Sequence, residues 1–163
     1  MFDIREEIPS DVPAREALLD RCFGESRFAK TCERLREGRL PAEGLALTAT
    51  REGASVGTIR LWDVAAGPGR SALLLGPVAV SPELQGAGLG ADLVRTALAE
   101  AARLGHGAVI LVGDEPYYAR FGFHRAPSGL DLPAPVDPAR LLVAELSEGA
   151  TTAAKGRVGP RKV

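Results

Sequence analysis

Apolar and polar residues in this chain repeat with two periods, one near two residues and one near 3.6. "FDIREEI", Phe2 to Ile8, alternates and predicts a first strand. In "PSDVPAREALLDRCFG", Ser10 or Asp11 is placed to cap a helix carrying Ala17, Leu18, Leu19 and Phe23, with Gly24 after it. "SRFAKTCERLREG" predicts a second, more polar helix ending at Gly38. Three strands come next. "GLALTATREG" and "ASVGTIRLWDVAAG" meet at a tight Glu52-Gly53 turn, the mark of a hairpin. After the turn-forming "GPG" of Gly67 to Gly69, "RSALLLGPVAV" carries Leu73, Leu74, Leu75, Val78 and Val80 in an apolar run. Such a run predicts a strand covered on both faces.

The strongest pattern follows "SPELQGAGLG". Leu89, Leu93, Val94, Ala97, Leu98, Ala101 and Leu104 recur at helical spacing, with Asp92, Arg95, Glu100 and Arg103 on the other side and Gly105 as terminator. "GAVILVGD" predicts a short buried strand. "EPYYARFGF" predicts a short helix with Asp114 as N-cap, Pro116 in the first turn and Gly122 at its end. "LLVAEL" predicts a last strand. The tail from Ser147, "SEGATTAAKGRVGPRKV", is rich in Gly, Ala and Thr and is expected to be flexible. The order is β-α-α-β-β-β-α-β-α-β, an α/β fold with a mixed sheet. A meander of antiparallel strands feeds one right-handed crossover whose two strands are parallel.

Composition narrows the function classes. The chain has 163 residues, which suits one domain, here residues 1–146 with a tail at 147–163. Its hydrophobic fraction is 45%, its charged fraction 25% and its net charge −1. That balance gives no electrostatic case for a nucleic-acid partner or a membrane surface. No apolar run approaches the roughly 20 residues of a membrane span, and the N-terminus "MFDIREEIPSD" has acids early and no apolar stretch. A cytoplasmic protein is expected. Cys22 and Cys32 form no CxxC and no Cys/His cluster, so no metal is expected.

Gly86, Gly88 and Gly90 stand at alternate positions directly before the strong helix. Glycines at a strand-to-helix junction can serve the turn alone, yet Ala would suit the helix start better at each of them. "GAGLGA" satisfies the dinucleotide pattern G-x-G-x-x-A, and "AVILVGD" ends in an acid, Asp114. Against a dinucleotide fold, "SPELQ" separates Val80 from the first glycine. Fewer than 50 residues follow Asp114, too few for the further β-α units that fold requires. A nucleotide-dependent oxidoreductase therefore ranks low.

Read from Gln85, the same residues are Q-x-x-G-x-G. "VSPELQGAGLG" resembles the V-x-P-x-x-Q/R-x-x-G-x-G/A segment of the GCN5-related N-acetyltransferase (GNAT) superfamily, and "YYARFGF" resembles its Y-x-x-x-G-F element. The separation of the two and the element order match as well, over roughly residues 2 to 146. The resemblance implies a GNAT-like mixed sheet whose fourth and fifth strands are parallel and splayed, acetyl-CoA as cosubstrate, and transfer to a primary amine by direct attack. It implies that Gln85 shapes the loop and that the backbone from Gly86 through Ala87, Gly88 and Leu89 to Gly90 approaches the pyrophosphate. Ala91 then begins the helix beneath it. A helix N-terminus suits that role through its unpaired N–H groups and partial positive charge.

Pro77 lies inside an apolar strand, where it removes a ladder donor and belongs at an edge, at a bulge or between two short strands. The family's strand bulges there. The resemblance then implies that the backbone of Val78, Ala79 and Val80 meets the pantetheine and the thioester, with one N–H in an oxyanion-hole role. Release of a thiolate with a pKa near ~8.5 calls for a proton donor. Tyr118, four residues before Gly122, matches the family's catalytic acid. Tyr117 is expected to pack or to line the acceptor site, and Phe121 to pack on the coenzyme or on the splayed strand. The family often has Asn near Asp114, so a pantetheine contact from that side chain is not carried over. Asp114, Glu115 and His124 each have ordinary structural readings and the general base is not legible; Trp62 and Asp63 stand at a strand end that could face the acceptor. The acceptor is expected to be a small-molecule or peptide amine, and a homodimer is compatible with the pattern. The competing reading from another class is a non-catalytic acyl-CoA-binding or regulatory domain of the same fold.

Overall fold

The computed structural model describes residues 2–24, 39–66, 71–127, 129–131, 137–148 and 156–160. The expected second helix, Cys32 and the "GPG" turn lie outside them. Strands β1 (Asp3–Glu6), β2 (Ala46–Arg51), β3 (Ala54–Ala66) and β4 (Ser71–Val80) form the antiparallel meander. Helix α2 (Leu89–Arg103) then crosses to β5 (Ala108–Val112), which runs parallel to β4. Helix α1 (Val12–Phe23) precedes the meander, and the short α3 (Glu115–Tyr118) follows β5. Two-residue strands β6 (His124–Arg125) and β7 (Leu130–Asp131), then β8 (Leu141–Glu145) and β9 (Gly156–Pro160), complete one mixed sheet. Its main path runs β1-β2-β3-β4-β5-β8-β6.

Strand alternation sorts the core onto two faces. Leu47, Ala49, Ile59, Leu61, Leu73 and Leu75 pack against Leu89, Leu93, Val94, Ala97 and Ala101 of α2. Trp62, Val64, Leu74, Ile110 and Val143 form the opposite face. Leu18 and Leu19 of α1 pack on Ala79 there. Gly57 governs how closely α2 docks: a Cβ at this position would stand 2.9 Å from Leu93 Cδ1 and 3.3 Å from Ala49 Cβ.

Asp11 does stand at the N-cap position of α1, but its side chain serves the turn before the helix. It accepts from the Ile8 N–H at 2.8 Å and from both terminal nitrogens of Arg5 at 2.8 and 3.0 Å. Those bonds, the Arg5 one first, lower its pKa to about 2.

The segment expected to be flexible contains structure. β9 pairs with Val64, Ala65 and Ala66 of β3 and with β7. The physical reason is that β3, at 13 residues, outruns β2, whose pairing ends at Arg60. That leaves a stretch of strand edge needing hydrogen-bond partners, and Val158 is fully buried on covering it.

Candidate active site

β4 and β5 pair at Leu73–Val109 and Leu74–Ile110. Among the described pairings, β4 then continues to Val80 against β3 alone. The interruption in β4 lies at Gly76-Pro77. Leu61 of β3 faces Leu75 and Ile59 faces Val78, so one β3 residue stands opposite two of β4. That is a β-bulge, and it bends the strand. Gly76 takes φ 128°, a value that favours glycine. The peptide bond it shares with Pro77 is cis. The Gly76 carbonyl accepts a hydrogen bond from the buried Trp62 indole at 2.6 Å.

Beyond the bulge, Val78 and Val80 are half-buried on the α2 side and Ala79 is buried on the α1 side. The end of β4 is clasped from several directions. Gln85 Nε2 and Cys22 Sγ each donate to the Val80 carbonyl at 3.3 Å, and Arg21 donates to Ser81 Oγ at 3.0 Å. The loop then turns through Gly86 (φ 90°) and Gly88 (φ 85°), where a Cβ would meet nothing within 4 Å. Gly88 is the N-cap of α2 and gives no side-chain cap, so Leu89, Gly90 and Ala91 open the helix with unpaired N–H groups. Ala87 donates to the Leu84 carbonyl at 3.2 Å. Gly90 differs from the other two: its φ is ordinary and a Cβ would lie 3.7 Å from Val80 Cγ2, an ordinary contact.

Tyr118 sits at the end of α3, half-buried in an aromatic cluster. Its ring meets Tyr117 edge-on at 5.0 Å and Phe123 at 5.9 Å, and Phe121 lies 5.6 Å from Tyr117. Burial raises the pKa of the Tyr118 hydroxyl; Tyr117 and Asp114 add to the rise and Arg140 opposes it. Gly113 makes room for this ring, since a Cβ there would stand 2.5 Å from Tyr118 Cε2. Neither Gly113 nor Gly57 carries a local sequence signal; only knowledge of what crosses them would have found them. Phe121 is half-buried under the Arg95 guanidinium at 5.2 Å.

Other residues singled out in the sequence lie elsewhere or are already engaged. Asp114 occupies the N-cap position of α3 without capping it; its carboxylate pairs with Arg140 at 3.2 Å. Glu115 pairs with Arg125 at 3.6 Å, and His124 is exposed beside the Arg125 carbonyl. Asp63 lines a separate cavity of about 850 Å³ with Glu6, Arg39, Glu43, Leu104 and His106. That cavity is at the far end of the 15-residue α2, roughly 22 Å from its glycine loop. Among the described residues no cluster of His, Cys, Asp or Glu can hold a metal ion, and no helix is long and apolar enough to cross a membrane.

Known proteins match this chain in sequence and fold. Residues 42–125 fit the model of the acetyltransferase (GNAT) domain. The N-acetyltransferase YhbS of Escherichia coli K12, itself described as uncharacterized, is 36% identical over 124 residues, covering 76% of this chain and 74% of that one. The crystal structure of YhbS in complex with CoA superposes with a TM-score of 0.84 at 31% identity, covering 98% of this chain and 89% of the other. A GNAT family acetyltransferase from Brucella melitensis, in complex with acetyl-CoA, gives a TM-score of 0.72 at 27% identity over 99% and 96% of the two chains.

Proposed function

The chain belongs to the GNAT acetyltransferase family, and from that premise we propose that it moves an acetyl group from acetyl-CoA to a primary amine by direct attack. Two features on the β4–α2 connection carry this reading. The uncapped start of α2 lies behind two left-handed glycines, and β4 leaves β5 just where its bulge occurs. The pyrophosphate of CoA would lie against the backbone of Gly86 to Gly90, with Ala91 in the first turn beneath it. The pantetheine arm would add like a strand along Val78, Ala79 and Val80, on the side of β4 away from β3.

In the transfer, the N–C bond forms as the C–S bond breaks. A backbone N–H past the bulge stabilises charge growing on the thioester oxygen. The Tyr118 hydroxyl protonates the departing thiolate, and the amine gives up its proton to solvent. Burial keeps Tyr118 protonated at the pH where a free amine is available. Phe121 packs beside this path. The catalytic unit is residues 1–146, and its proposed setting is the cytoplasm, which keeps a thiol such as that of Cys22 reduced.

Thermal shift with CoA and acetyl-CoA, followed by thiol release across a panel of amines, tests the reading. Stabilisation by both thiols and esters of CoA with amine-dependent thiol release is expected. Stabilisation without release from any amine would favour a non-catalytic acyl-CoA-binding domain. No stabilisation at millimolar CoA would remove both readings.

A further inference from the structure

The bulge that separates β4 from β5 needs something to fix its shape, because the ladder cannot. β3 offers one residue, Arg60, against Gly76 and Pro77 together. Pro77 has no N–H to give. A carbonyl in such a place needs a donor from outside the ladder. Trp62 supplies one. Its indole N–H, a donor with no acceptor function, reaches the Gly76 carbonyl at 2.6 Å. The ring itself is held in place. It is 4% exposed, and the Arg60 guanidinium lies 5.0 Å over its face. Arg60 faces Glu7 at 3.6 Å, and Glu7 pairs with Arg15 of α1. The chain of contacts runs from α1 through β3 to the bulge.

Rigidity carries this anchor onward. Between the Gly76 carbonyl and the Val78 N–H lie the two backbone torsions of Pro77. Its φ is locked by the ring, so one soft torsion remains. Fixing the Gly76 peptide plane therefore largely fixes where the next N–H on β4 points. We propose that Trp62 is a positioning residue: through Gly76 and Pro77 it aims the Val78 N–H at the place where the thioester carbonyl lies. The inference rests on the acetyl-transfer reading above.

The test replaces the donor without replacing the ring. Trp62→3-benzothienylalanine keeps the bicyclic shape and lacks the N–H; Trp62→Phe is the encoded counterpart. Bound acetyl-CoA labelled with ¹³C at the carbonyl is observed by NMR, since that resonance moves as the carbonyl is polarised. In the wild type it is expected to lie downfield of free acetyl-CoA. In the benzothienylalanine variant it should return at least about halfway to the free position, with Kd changed by less than about threefold and thiol release down about tenfold. A resonance unmoved between wild type and variant would overturn the role assigned to Trp62. So would a change in the variant that tracks a wholesale loss of affinity and of Tm, since that is what packing alone would give. A wild type that binds acetyl-CoA but leaves its carbonyl at the free position counts against the acetyl-transfer reading itself and takes the inference with it. The wild-type and variant arms thus separate the two failures.

Discussion

Two kinds of residue at this site meet different demands, and each can be tested singly. As the proposed acid, Tyr118 would have to stay protonated, and its burial favours the neutral form. Tyr118→Phe should lower kcat by about 10²-fold, the low end for loss of a general acid, with a smaller change in KM for acetyl-CoA. The sign of the pH effect follows from the raised pKa. The acid is present below it and is lost only as pH rises through it. The alkaline fall in kcat should therefore lie above the ordinary tyrosine range in the wild type, and Tyr118→Phe should abolish that limb. The glycines make a sharper comparison. Gly88 has φ 85° and open space above it, so Gly88→Ala strains the backbone without a clash, by about 1–2 kcal/mol. Gly90→Ala meets neither problem and should leave Tm and the Kd for CoA nearly unchanged, while Gly88→Ala lowers Tm and weakens CoA. Calorimetry and a CoA titration on the two variants would check the contrast. The family pattern agrees, since it admits Gly or Ala at the position of Gly90.

At the scale of elements, the distance between α2 and the sheet sets where the glycine loop at the start of α2 stands. Gly57 and Leu93 share that contact. Gly57→Ala should destabilise by about 1–3 kcal/mol through overpacking, and Leu93→Ala by about 2–5 kcal/mol through a cavity. The double variant should cost less than the sum, because the new methyl group enters the space that Leu93 leaves; denaturant melts of the four proteins give the coupling. The elements themselves were legible to differing degrees for physical reasons. α2 declared itself because Leu89, Leu93, Val94, Ala97 and Ala101 are all buried on one stripe. The hairpin at Glu52-Gly53 and the parallel β4–β5 pair followed from turn chemistry and crossover length. The side-chain caps expected from Asp11 and Asp114 did not form, since each carboxylate found an arginine. Nothing local distinguishes a carboxylate that caps from one that pairs elsewhere.

For the molecule as a whole, the C-terminal strand β9 covers an edge of β3. "GRVGP" reads as loop because two glycines and a proline surround one apolar residue. Its strand exists only because β3 runs past β2, a tertiary circumstance that composition does not encode. Val158 is the residue that docks it. Val158→Ala should cost about 1–3 kcal/mol, or about 2–12 °C in Tm for a chain of this size. Thiol release at 25 °C should remain at the wild-type level, as expected if residues 1–146 carry the reaction. A kcat that fell with Tm would argue that the catalytic unit extends through β9. The glycine turn into α2 was legible because its motif is contiguous in sequence. The contacts around it, of Gly57 with α2, Gly113 with Tyr118, Cys22 with Val80 and Trp62 with Gly76, were not, because they join residues that no contiguous motif links.

The bulge in β4 also has a meaning in the gene, where it amounts to a single codon. Leu75 and Val78 face α2 only because two residues occupy one step of the ladder. Deleting Pro77 would leave Gly76 opposite Arg60 and keep every later side chain on its present face. Most in-frame deletions inside a strand scramble its faces; this one should repair the strand. The product should fold, with the α2-side core intact by circular dichroism and melting. It should also lose measurable affinity for acetyl-CoA, because the strand would then be free to zip onto β5. An ordinary replication slip of three nucleotides would thus separate a stable sheet from an enzyme.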